Sequence, residues 1–169
     1  MKRNFYLVSY FRNFIFGVED SLVSTVGLLS GVAIANVSRE TIFLTGIILL
    51  FVEAFSMAAG SFLSENSAEN YMKIRNASFK HDLISGSIMF FSYFISDFIP
   101  LLPYLIWNIN KALPFSIIFS AIALFILGLI GARISKTGLI KNAFKMVFIG
   151  GIAIAVGLIA GSMLSRIGL

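Results

Sequence analysis

Glu53 stands inside the run FLTGIILLFVEAFSMAAGSFLSEN, residues 43–66, with Met57 four residues later and the small residues Ala58, Ala59 and Gly60 beyond it. Residues four apart share a helix face. A carboxylate and a thioether on one face, completed by a carboxylate from another helix, make a donor set for a divalent metal. The carboxylates supply charge, and the thioether adds softness that favours Fe²⁺ and its neighbours over Mg²⁺ or Ca²⁺. Asp20 is the candidate for the facing carboxylate, because it shares one helical face with Gly17, Ser24, Gly27 and Gly31. The blander readings stay open: Met57 as core or lipid-facing packing, and Glu53 as a protonated carboxyl bonded to a neighbouring helix.

The same apolar runs hold two further acids. Glu19 is rotated about 100° from Asp20 around the helix, nearer the headgroups. Asp97 lies in SDFIPLLPYLIW, where Pro100 and Pro103 free backbone carbonyls. Asp97 either lines an exit path, or caps that backbone or lies in wet interface. With Ser24, these two acids are candidates for proton coupling or for the pathway. A carboxylate at mid-membrane costs about 2.5–3.5 kcal/mol, and Lys and Arg occur only at the ends of the runs. Such acids must be protonated, face water or bind cations.

The elements that position these residues follow from composition. Of 169 residues, 58% are hydrophobic and 12% charged, with a mean hydropathy of +0.93, against roughly 25% charged residues in soluble domains. An all-α integral membrane protein is expected, as a single transmembrane domain. Spans of about 20 apolar residues are read at 14–36, 41–63, 83–106, 113–134 and 144–166. The polar loop 64–82 has room only for a short helical extension. The apolar run after the basic N-terminal segment is too long for a signal peptide and contains Glu19 and Asp20. With no cysteine and one histidine, thiolate and multi-His metal centres are excluded within one chain. His81 reads as a solvated surface histidine. Glu65 and Glu69 read by default as a solvated helix face, with cation attraction at the mouth of the pathway as the functional alternative.

Lys2, Arg3, Arg12, Lys73, Arg75, Lys80, Arg133, Lys136, Lys141 and Lys145 fall on one side of these spans, against Arg39, Lys111 and Arg166 on the other. The bias places the N-terminus in the cytoplasm and, after five spans, the C-terminus outside. It also accounts for the net charge of +5 without a nucleic-acid partner. Gly150, Ala153, Gly157 and Gly161 form a second small-residue face, which marks close helix contact. Five spans cannot make an inverted repeat of equal halves, so two chains about a two-fold axis are expected.

FGVEDSLVSTVGLLSGVA, followed by VEAFSMAAGSFLSENSAENY and by PLLPYL, resembles the vacuolar iron transporter family, in order and over nearly the whole chain. The resemblance implies a homodimeric five-span exporter that moves Fe²⁺, often Mn²⁺, out of the cytosol in exchange for protons. It places the family's first-span Asp on Asp20 and the Met of its SM motif on Met57. The second-span Glu of well-studied members falls, ungapped, on Leu49, so Glu53, one turn on, is its expected substitute. The glutamate-rich cytoplasmic domain that eukaryotic members insert between spans two and three is absent.

The expected function is therefore proton-coupled export of Fe²⁺ and/or Mn²⁺ by a transporter, not an enzyme. The metal is substrate, and no resident cofactor is expected. Metal enters past Glu65 and Glu69 and binds between Asp20, Glu53 and Met57. Divalent ions, protons, the lipid bilayer and a second copy are the expected partners, and a prokaryotic cell membrane is the expected location. A small proton-coupled organic-cation exporter, with Phe51 and Phe55 flanking Glu53, and a non-transporting membrane scaffold are the alternatives.

Overall fold

The computed structural model describes residues 2–35, 37–72 and 79–167. They form five α-helices in chain order: α1 Lys2–Ile34, α2 Arg39–Tyr71, α3 Phe79–Ile106, α4 Ile109–Ile134 and α5 Leu139–Ile167. All five are long and apolar enough to cross a membrane. The five expected spans thus fall on five helices.

The helices overrun the expected spans. α1 and α2 have 33 residues each, about 50 Å at 1.5 Å per residue, against roughly 30 Å of hydrocarbon. The excess gathers at one end of the bundle, where the start of α1, the end of α2 and the start of α3 meet. The stretch read as a polar loop is therefore mostly helix. α2 runs on to Tyr71 and α3 starts at Phe79, so Glu65, Glu69, His81 and Asp82 lie on helices. Of the basic residues that carry the charge bias, Lys2, Arg3, Lys73 and Arg75 lie outside the described side chains.

α3 is the spine of the bundle, packing on α1, α2 and α4, while α1 also packs on α4 and α5. α2 leans on α3 and touches α1 far less, which leaves a groove between α1 and α2 above α3. At the end away from the long overruns the groove closes over an apolar cluster of Leu29, Ala33, Ile42, Leu101, Tyr104 and Ala112. There Ser38 caps α2 by accepting from the Thr41 backbone N–H at 3.2 Å, which satisfies one of the helix's orphan donors.

The small-residue face of α5 is used within the chain. A Cβ at Gly31 would lie 2.5 Å from the Gly157 carbonyl oxygen, and one at Gly157 or Gly161 would strike the carbonyl of Gly27 or Gly31. The α1–α5 crossing requires glycine at these positions, and it occupies the GxxxG that would otherwise be available to a second copy. Gly60 behaves differently: nothing lies within 4 Å of the position its Cβ would take, so the small cluster after Met57 opens outward at that point.

Candidate metal pathway and its polar end

α1 contributes Asp20 and Ser24 to the groove, and α2 contributes Glu53. Asp20, Ser24, Glu53 and Met57 are all half-buried. Asp20 and Glu53 lie within Coulombic range of each other. The Ser24 hydroxyl donates to Glu53 Oε2 at 3.2 Å, and the Tyr93 hydroxyl of α3 donates to the same oxygen. Ser24 and Tyr93 also pair with each other at 2.8 Å. Among the described residues Glu53, on α2, is thus held by α1 and α3 through hydroxyl groups. Leu49, one turn before it, is half-buried as well. Phe51 and Phe55 point away from the groove, 56% and 70% exposed, so they do not form an aromatic wall around the acid.

Asp97 is fully buried, which overturns its reading as a cap on proline-broken backbone or a residue in wet interface. α3 continues as helix through Pro100 and Pro103. Asp97 Oδ1 accepts from Ser21 at 3.2 Å and from the Thr25 hydroxyl, both on α1. Its other oxygen has no hydrogen-bond partner among the described residues. It lies in Coulombic range of Glu53, so the two acids belong to one polar layer shared by α1, α2 and α3.

Glu19 sits elsewhere. It lines a separate cavity of about 510 Å³ between α1, α4 and α5, which Arg12 and, from α5, Lys145 also line. The structure therefore gathers Asp20, Ser24, Glu53 and Asp97 in one layer and puts Glu19 on the far side of α1.

At the overrun end, Glu65 and Glu69 are 2% and 0% exposed, not a solvated face. Glu65 Oε1 accepts from Arg12 at 2.5 Å, from Asn13 at 3.4 Å and from the Ser9 hydroxyl. Next to it, His81 is buried rather than solvated. Its ring stacks on Tyr6, with centroids 4.0 Å apart, and tilts against Tyr10. His81 Nδ1 faces Glu69 Oε1 at 3.0 Å and Asp82 Oδ1 at 3.4 Å. Asn66 donates to the other Asp82 oxygen at 3.1 Å.

Sequence reasoning missed Tyr93, Ser21 and Thr25. The signal was present in the four-residue steps that place Tyr93 with Asp97 on α3 and Ser21 with Thr25 on α1. It also missed the partners of Glu65 and Glu69, which are set by the packing of α1 on the ends of α2 and α3 and leave no local pattern.

No ion pair with Lys or Arg reaches Asp20, Glu53 or Asp97 among the described residues. Carboxylates in apolar surroundings without a cationic partner must take a proton or a metal ion to be neutral. A groove lined with them can bind and release both.

Comparison with known protein families gives a match over most of the chain. The model of the VIT family covers residues 11–83 and 72–162, so nearly all of α1 to α5 falls within it. No curated protein matches the chain.

Proposed function

The chain belongs to the VIT family of vacuolar iron transporters, which carries divalent metal transport in general, and on that premise we propose that it exports Fe²⁺ and Mn²⁺ from the cytosol in exchange for protons. The observation that carries this reading is the groove between α1 and α2. There Asp20 and Glu53 sit half-buried within Coulombic range of each other, and among the described residues hydroxyl groups hold Glu53.

In this reading Asp20, Glu53 and Met57 hold the ion. Ser24 and Tyr93 orient the Glu53 carboxylate and donate to it while it is ionised. Asp97, with one oxygen held by Ser21 and Thr25, accepts the returning proton on α3 behind the groove. The ion arrives from the end bearing Glu65 and Glu69, which the charge bias assigns to the cytoplasm. The α1–α2 groove is open along its flank, and a second copy about a two-fold axis closes it. The membrane is the cell membrane of a prokaryote.

The organic-cation alternative loses its main support, because Phe51 and Phe55 turn outward. Proteoliposomes with an imposed pH gradient test the proposal. Uptake of Fe²⁺ and Mn²⁺ with counterflow of protons is expected, and no uptake of a quaternary ammonium probe. Metal flux that leaves the internal pH unchanged would remove the proton coupling.

A further inference from the structure

Glu69, His81 and Asp82 are not needed for the pathway through the groove, yet their placement is that of a ligand set. One donor atom from each lies within 4.8 Å of the other two, and all three side chains are buried. Glu69 lies sixteen residues from Glu53 on the same helix, about 24 Å along its axis, so this cluster is separate from the groove. We infer that these three residues form a second binding site for a divalent first-row transition metal, at the junction of the end of α2 with the start of α3.

Three observations support the site. The first is charge. Two carboxylates, 0% exposed, stand together. A divalent ion would balance both acids. The second is the donor type. One imidazole nitrogen with two carboxylate oxygens suits Mn²⁺, Fe²⁺ or Zn²⁺ and is a poor match for Mg²⁺ or Ca²⁺, which take oxygen ligands. The third is orientation. His81 Nδ1 points between Glu69 Oε1 and Asp82 Oδ1, and Asp82 Oδ1 has no hydrogen-bond partner among the described residues. Asn66 meanwhile holds the other Asp82 oxygen, a second contact of the sort that aims a ligating carboxylate. Metal–ligand bonds of about 2.0–2.2 Å hold donors roughly 3–3.5 Å apart. The two His81 contacts already have that spacing, and the widest separation has to close by about 1 Å.

The rival is a purely structural cluster in which an imidazolium bridges the two acids. Composition supplies a clean probe: the chain has one histidine and no cysteine, so any imidazole nitrogen bound to metal is that of His81. The experiment is ¹⁵N NMR of the histidine ring in the full-length, tag-free protein in detergent, titrated with Zn²⁺. We expect one saturable equivalent to move the Nδ1 resonance, in the wild type and equally in Glu53→Gln, so the result does not depend on the transport reading. Asp82→Asn keeps the shape and can still accept from Asn66, and should weaken this equivalent at least about tenfold. Ring resonances that do not move at saturating Zn²⁺ in the wild type would overturn the site. So would a Zn²⁺ affinity indifferent to Asp82→Asn in a variant that melts like the wild type.

Discussion

The acids of this protein occupy two regions that are built in opposite ways. In the groove and the buried layer behind it, Glu53 and Asp97 receive hydrogen bonds from Ser24, Tyr93, Ser21 and Thr25, and no Lys or Arg is paired with them among the described residues. At the overrun end, Glu65 is held by the Arg12 guanidinium, and Glu69 and Asp82 face the His81 ring. A hydroxyl group orients a carboxylate without fixing its charge, since it can donate to the ionised form and accept from the protonated one. A guanidinium stays charged and fixes the carboxylate as an anion. On the proposed reading the groove exchanges protons for metal, whereas the Glu65 contact holds α1 on α2.

If that contrast is right, the largest effect comes from the groove. Asp20→Asn removes one of the two facing charges and should reduce metal flux in proteoliposomes at least about tenfold, with the melting temperature in detergent held or raised, because a mid-membrane charge has been removed. Full flux with Asn at this position would place the ion elsewhere.

The scaffold gives the next effect. Gly157→Leu drives a side chain into the Gly27 carbonyl of α1 and should cost about 1–3 kcal/mol, read as a lower thermal midpoint with flux lost in proportion to folded protein. Gly150→Ala meets the flexible end of Leu124 instead and should be tolerated. Equal damage from both would mean that the α1–α5 crossing is not what these glycines serve.

Arg12→Gln probes the other region. Among the described residues it leaves Glu65 with Ser9 and Asn13, and it should cost about 1–2 kcal/mol. The loss is limited because the Arg12 side chain is 65% exposed and solvent screens the pair. Flux per folded molecule and its pH dependence should be unchanged. A shifted pH profile would make Glu65 part of the transport path and erase the contrast between the two regions.

The smallest effect is expected at Met57. Met57→Leu keeps the volume and removes the sulfur. It should disfavour Fe²⁺ relative to the harder Mn²⁺ by under about 1 kcal/mol, or roughly fivefold, in competition uptake. An unchanged ratio would make Met57 a packing residue.

The division between the regions also marks what could be read from the sequence. The five helices were legible, because a run of some 20 apolar residues in a bilayer has few alternatives to a helix. Asp20 and Glu53 were legible as acids in such runs, and the structure puts them within reach of each other. For Asp97 the sequence left a pathway role and a capping or interfacial role open, and the nearby prolines, which suggested a broken helix, gave the second undue weight. The structure keeps α3 continuous and buries Asp97 on Ser21 and Thr25. The end of α2 was misread for a different reason. SENSAENY is polar enough to look solvated, and only the overrun of α1 supplies Tyr6, Ser9, Tyr10 and Arg12 to bury it. That is a contact between segments more than fifty residues apart, with no local periodicity to announce it. The Gly157–Gly161 pair was legible as a packing face, but its partner, α1 of the same chain, was not.

The central claim is that Glu53 holds either a proton or a metal ion in the groove, and Glu53→Gln tests it most directly. Glutamine preserves the shape and can still accept from Ser24 and Tyr93, but it cannot ionise. Reconstituted into proteoliposomes, with internal pH and Fe²⁺ or Mn²⁺ uptake recorded together, the variant should lose metal-coupled proton flux while melting at or above the wild-type temperature. Metal uptake at the wild-type rate with unchanged pH dependence would make Glu53 a buried hydrogen-bonding residue and contradict the account.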